Sequence, residues 1–267
     1  MGIIFWKIIK DRRISIIVYC AAAIALMWMY VAMYPSIAKQ AASFTEAFKN
    51  YPQAVMKAMG IELMDFSHLE NFLAMEQFSI IWPIMVIFLM VAFASNSLAR
   101  EVEKGTAEIL LSRPISRLKI FFGRYLAGIT ILLMFTVLST VTVAPLAELH
   151  SIDYQFVNYL KTGLSGFFFG WAFFSMAMMI SAMSSEKSRV AMTIGGTAIA
   201  MYVLKIVASL VERFDWLQYV SFFHYFNGND GLINSMIKIL PLVIFSVVSI
   251  ACTVIGAWYF KKRDIAV

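Results

Sequence analysis

The sequence predicts an all-α, polytopic membrane protein: six transmembrane helices, an amphipathic helix before the first, and a short helix between the second and third. Three observations predict it. Of 267 residues, 61% are hydrophobic and only 14% charged, against roughly 45–50% and 25% in soluble domains. With a mean hydropathy of +0.78, the chain carries more apolar surface than a globule of this size can bury. The apolar residues fall into six runs, each long enough to cross about 30 Å of hydrocarbon at about 1.5 Å per helical residue. Finally, Lys and Arg gather at alternate ends of those runs.

Residues 1–13 combine Ile3, Ile4, Phe5, Trp6, Ile8 and Ile9 with Lys7, Lys10, Asp11, Arg12 and Arg13, the pattern of a helix at the membrane interface. A plain basic flank that only sets topology is the competing reading. The spans follow at about 14–34, 78–99, 120–147, 163–183, 190–211 and 239–260. The first run is too long for the 7–15-residue core of a cleaved signal peptide. Gly2 does not begin a myristoylation signal, because Trp6 stands where Ser or Thr is needed. Pro83 falls in the first turns of its span, where a missing N–H matters little. Pro145 makes the third span tilt, kink or stop shortly before Ala144. In the outer loop, 35–77, Phe44, Phe48, Tyr51, Val55 and Met59 recur at helical spacing. That spacing fits short surface helices over the span ends or, alternatively, a cap for a partner. Gly166-x-x-x-Gly170 allows close helix packing within the chain, and Gly195-Gly196 is expected to loosen or kink the fifth span. The whole, 1–267, reads as one transmembrane domain.

Fifteen of the 22 Lys and Arg lie on the side that holds both chain ends, which places both termini in the cytoplasm and the protein in the cell membrane. They hug the span ends and form no nucleic-acid stripe. Cys20 and Cys252 both lie inside apolar runs, so no disulfide framework or metal spacing is present. No G-x-x-x-x-G-K-[ST] occurs, so this chain is expected to have no ATPase site and no cofactor of its own. His68, His150 and His224 map to the outer side. His150 and Asp153 lack a third ligand nearby, and neither a metal site nor an enzyme is expected. Lys205, well inside the fifth span, either snorkels to the outer interface or has a functional role. The scarcity of intramembrane charge argues against a proton relay and leaves the energy to come from elsewhere.

The loop 100–119 is the informative stretch. The second span ends in Arg100, Glu101, Glu103 and Lys104, breaks at Gly105, and restarts with Thr106 as an N-cap. A helical turn or two carries Glu108, Ile109, Leu110 and Leu111 and stops at Arg113-Pro114. Ser116 then caps the third span. On physical grounds this is either a tight interfacial turn or a docking helix. The string E-x-E-K-G-T-x-E-x-L-L-S-x-P-I-S-R resembles the loop between the second and third spans of type 2 ATP-binding-cassette (ABC) exporter permeases. The six spans and the closing Phe260-Lys261-Lys262-Arg263-Asp264 are similar to that family too.

The resemblance implies a permease that pairs with a second permease, as homodimer or heterodimer, and with ABC nucleotide-binding subunits that carry ATP and Mg. It implies a coupling helix at about 105–112 seated on the ATPase. Glu101 and Glu103 would end the second span and pair with basic groups. Gly105-Thr106 would form the break and cap, Glu108, Leu110 and Leu111 would lie on the docking helix beside Lys104, and Pro114 with Arg117 would fix its exit. Ala107 and Arg113 stand where Leu and Thr are frequent, which bears on ATPase preference. Residues 1–13, with Trp6, Lys7, Lys10, Arg12 and Arg13, resemble the family's elbow helix. An apolar path suits export of an amphipathic or hydrophobic cargo such as a lipid, peptide, antibiotic or drug. Two other readings compete: a non-transporting ABC assembly that passes ATPase motion to an extracytoplasmic maturation or sensor protein, and an intramembrane enzyme using the histidines.

Overall fold

The structure is a computed structural model that describes residues 2–40, 66–106 and 115–263. The surface helices expected around Phe44 to Met59, and the docking residues Glu108, Leu110, Leu111 and Pro114, lie outside the described residues. Every regular element among the described residues is helical. Among the described residues six helical stretches are long and apolar enough to cross a membrane: Ile4–Lys39, Leu69–Ser95, Arg117–Leu149, Phe156–Met183, Lys187–Leu210 and Ile239–Lys262.

The first departs from expectation. Helix α1 runs unbroken over Gly2–Lys39, so the elbow is not a separate helix. Hydropathy changes near residue 13, but Lys10-Asp11-Arg12-Arg13 contains no Gly or Pro, and Lys and Arg are good helix formers. At about 1.5 Å per residue the helix is about 57 Å long, far more than the hydrocarbon requires. Its amphipathic end lies against the bundle, with Ile4, Phe5, Ile8 and Ile9 packed on the core.

The second span also starts earlier than hydropathy suggests. It comprises α2 (Leu69–Leu73), a π-helical segment Ala74–Ile81 and α3 (Trp82–Ser95). The π register ends where the Trp82 N–H bonds the Gln77 carbonyl, five residues back. Pro83 follows at once and has no N–H to offer Ser79, so the α ladder is interrupted here in any case. After a turn at 96–98 comes the short α4 (Ala99–Glu103). The third span is α5 (Arg117–Val141) and α6 (Val143–Leu149), interrupted at Thr142. Pro145 explains the interruption, since the Val141 carbonyl finds no donor four residues on. The fourth and fifth spans are α7 (Phe156–Met183) and α8 (Lys187–Leu210). Gly195 and Gly196 do not interrupt α8. A 3-10 helix Glu212–Val220, then α9 (Phe222–Tyr225) and α10 (Gly228–Leu232), lead to the sixth span, α11 (Ile239–Lys262).

Helix α7 is the hub, packed on α3, α5, α8, α10 and most extensively on α11. Its small residues allow this. A Cβ on Gly166 would stand 2.4 Å from Trp82 Cη2, and one on Gly170 2.7 Å from Leu132 Cδ1. The G-x-x-x-G motif therefore packs within the chain. Trp82 is fully buried, bonds Ser139 Oγ through Nε1 at 2.8 Å, and stacks on Phe226 with ring centres 5.6 Å apart. Phe226 belongs to a stretch, 221–232, that folds back among the spans, with Phe222, Phe223 and Leu232 buried. The end of the bundle carrying His68, His150 and His224 is thus filled by aromatic rings. In α9, burial first, then Lys205 and Lys238, hold the His224 imidazole below its ordinary pKa, against the opposing pull of Asp215 and Asp230.

The contrast between glycines is testable. Gly166→Ala drives a methyl into a Trp82 ring that is bonded and stacked on its other sides, and is expected to destabilise by about 1–3 kcal/mol. Gly196→Ala meets nothing within 4 Å and is expected to be neutral or to stabilise by up to about 1 kcal/mol. Thermal unfolding of the two variants in detergent checks both.

Candidate functional site

The basic start of α1, the 96–106 turn, the start of α5 and the end of α11 meet at one end of the bundle, and with them those singled-out residues that the structure describes. The second span stops because Asn96 leaves helical geometry, its Nδ2 bonding the Ala92 carbonyl at 2.8 Å. A turn at this depth strands backbone donors and acceptors. Ser181 on α7 serves them, donating to the Ala94 carbonyl at 2.7 Å and accepting from the Leu98 and Ala99 N–H groups at 3.3 and 3.1 Å. Arg124 on α5 donates to the Ser97 carbonyl.

Helix α4 then ends in a Schellman turn. The Gly105 N–H bonds the Val102 carbonyl and the Thr106 N–H the Glu101 carbonyl, both at 3.0 Å, with Gly105 at φ +67. Only glycine takes that left-handed conformation without a Cβ penalty. The Thr106 hydroxyl turns back to the Glu101 carboxylate. Glu101 also holds Arg124 at 3.1 Å, the guanidinium being buried and the carboxylate about one-third exposed. Burial alone raises the Glu101 pKa, but the Thr106 hydroxyl and Arg124, with Lys7 further off, outweigh it and leave the group below its ordinary value.

Among the described residues Glu103 pairs with no basic side chain. Its Oε2 accepts the backbone N–H of Lys187 at 2.8 Å, the first residue of α8. That helix has no side-chain cap of its own; Glu186, at the N-cap position, pairs with Arg189 instead. A carboxylate is favourable at a helix N-terminus, so Glu103 caps the fifth span from the far side of the turn. Lys104 is exposed.

Beyond the undescribed 107–114, Ser116 caps α5, accepting the Lys119 N–H at 3.4 Å. Arg117 donates to the Arg263 carbonyl. The Arg263 guanidinium in turn bonds the Ala182 and Ser184 carbonyls, both at 2.9 Å, and Ser185 Oγ at 2.6 Å. Both flanks of the loop are therefore fastened, the entry to α5 and α8, the exit to α11 and the α7–α8 turn. Trp6, Lys7, Lys10 and Arg13 are exposed on α1, while Arg12 turns inward and donates to the Asn96 carbonyl at 3.1 Å.

Two cavities adjoin this collar. A polar one of about 300 Å³ lies between α1 and the 96–101 turn. An apolar groove of about 600 Å³ runs between α3 and α8, walled by Ile84, Phe88 and Val91 on one side and Ala191, Gly195 and Ile199 on the other. Asn96, Lys187 and Ser188 bound its basic end. Helix α8 is the least buried of the six spans. Sequence reasoning missed Arg124, Asn96, Ser181 and the part played by Arg263. Arg124 carried one signal: it follows Ile120, Phe121 and Phe122, already inside an apolar run.

A family model described as ABC-2 family transporter protein matches residues 4–265. Among curated proteins, two from Bacillus subtilis (strain 168) are similar, neither with a described activity. The uncharacterized protein YhcI is 27% identical over 203 residues, 66% of this chain and 63% of its own length. The uncharacterized membrane protein YdbK is 24% identical over 226 residues, 74% of this chain and 85% of its own length.

Two outcomes follow from the collar. Among the described residues Gly105→Ala meets no neighbour within 4 Å, and its expected cost is the left-handed backbone, about 1–2 kcal/mol; Gly105→Asn is expected to cost less. Glu101 ionises more readily in the fold than in the unfolded chain, so its contribution is complete above the unfolded pKa, about 4.3, and is lost as pH falls through the lower folded value. The difference in unfolding temperature between the parent and Glu101→Gln is therefore expected to shrink from pH 6 to pH 3. A difference constant across that range would refute the assignment.

Proposed function

Since the chain belongs to the ABC-2 transporter family, whose membrane subunits work with separate ATP-binding partners, we propose that it is a permease exporting an amphipathic or hydrophobic molecule. In this reading the basic end faces the cytoplasm, the ATPase docks on the loop 100–119, and a second permease, identical or related, completes the transporter.

The observation that carries the reading is the bond from Glu103 to the first N–H of α8. It ties the entry of the candidate docking loop to one wall of the apolar groove. ATPase closure displaces the loop; the Schellman turn passes the displacement rigidly into α4, and Glu103 hands it to α8. The other groove wall, α3, is held to α7 through Ser181 and Trp82, so pulling α8 changes the groove's width. A groove of this size, within the range of ligand pockets and lined almost wholly by apolar side chains, favours cargo with a hydrocarbon portion.

Gly105→Pro forces φ to about −65° at a residue that needs a positive φ. Gentle detergent pull-down of the parent is expected to bring down a subunit carrying a nucleotide-binding motif, and Gly105→Pro to lose it. Glu103→Ala, which removes the acceptor of the Lys187 N–H, is expected to keep the ATPase yet lose stimulation of hydrolysis by transported substrate. If no ATPase co-purifies in several detergents while an extracytoplasmic protein does, export gives way to the non-transporting assembly.

A further inference from the structure

We propose that the polar cavity at the basic end is a binding site for a phosphate-ester anion, with a phospholipid headgroup as its natural source. The site shares only Asn96 with the apolar groove and does not depend on what the groove carries.

Three guanidinium groups line the cavity, Arg12 from α1, Arg100 from α4 and Arg124 from α5, against two carboxylates, Asp11 and Glu101. Glu101 is already shared between Arg124 and Thr106, and Asp11 lies exposed at the rim. A guanidinium offers five N–H donors. Among the described residues Arg12 and Arg100 each donate one hydrogen bond, both to Asn96, at 3.1 and 2.9 Å. Arg124 is buried, and its Nε has no partner among the described residues. A buried donor left unmade is costly, and three forks with donors to spare suit the several oxygens of a phosphate.

The surroundings point to a lipid. Ile8 and Phe93 give the cavity an apolar floor, and its volume exceeds what a bare phosphate fills. On α1, Arg12 and Arg13 are followed directly by Ile14, Ile17 and Val18, which are 70%, 63% and 58% exposed. The cavity thus sits where the helix passes from charged to apolar, at the level of headgroups, with uncovered hydrocarbon beside it for an acyl chain.

The test uses the full chain purified in detergent with whatever subunits accompany it. Thermal unfolding is followed against phosphatidylglycerol, phosphatidylcholine and, at constant ionic strength, inorganic phosphate. Stabilisation by phosphatidylglycerol beyond phosphatidylcholine identifies the lipid source; stabilisation by inorganic phosphate with no lipid preference identifies free phosphate in the same site. In either case the joint change Arg12→Gln and Arg100→Gln is expected to weaken binding by about tenfold or more, as loss of charge-assisted hydrogen bonds does. Lys261→Gln with Lys262→Gln removes the same charge outside the cavity and is expected to leave binding unchanged. Ser15→Trp, at the exposed rim, fills the entrance with every charge kept, so binding is expected to fall although folding is untouched. The proposal is overturned if neither ligand shifts unfolding, or if all variants bind like the parent.

Discussion

The buried Arg124–Glu101 pair is the constraint around which the basic end is built. A guanidinium enclosed by an apolar bundle costs several kcal/mol unless a carboxylate meets it. Glu101 meets it only because the second span stops at Ser95 and the chain turns before α4. The turn needs Asn96 to close it and Ser181 to serve its stranded backbone groups. Arg124 itself satisfies the Ser97 carbonyl. The same turn sets the direction of α4 and so brings Glu103 to the start of α8. Losing Arg124 or Glu101 alone would strand its partner's charge and release the turn together with the link to the fifth span.

Elsewhere the bundle is held by shape. Gly128 fits the Phe174 ring, Gly163 fits Thr140, Gly166 fits Trp82 and Gly170 fits Leu132, each so closely that a methyl would collide. Few polar ties cross the middle. The Tyr125 hydroxyl gathers Ser175, Trp171 and Thr253 within 2.6–2.7 Å, joining α5, α7 and α11. Helix α8 takes part in neither arrangement: Gly195 and Gly196 face open space. In a close-packed interior motion is confined to elements that lack such interlocking, and α8 is one such element.

Hydropathy revealed the six spans because burial in lipid demands a run of apolar residues whatever the neighbours are. Gly105 and Ser116 were legible because a left-handed turn and an N-cap each restrict residue type locally. The continuity of α1 was not, since hydropathy reports the environment along a helix and says nothing of where the helix ends. The π segment before Pro83 and the infolding of 221–232 depend on Trp82, Phe169 and Phe226 meeting from distant parts of the chain. Glu103 looked like half of an ion pair. Its partner is a backbone N–H, which every residue but proline carries, so no sequence pattern could mark it.

The two ends of α8 are fastened by different means, and its two faces are covered unequally. Its far end runs through Val211 into the 3-10 helix Glu212–Val220, packs closely on it, and sets Tyr202 against Phe223 at 5.3 Å. Phe223 is itself locked into the aromatic cluster around Phe169. Many contacts would have to break together for that end to move. The basic end is held differently: Glu103 bonds the first N–H of the helix, Val190 and Ile194 are buried in the core, and Arg263 holds the α7–α8 turn that precedes it. One face of α8 is therefore anchored at both ends, while the face of Ala191, Gly195 and Ile199 borders the groove. Under the proposed reading a pull through Glu103 turns that uncovered face relative to α3, which changes the groove's width while the buried face keeps its contacts.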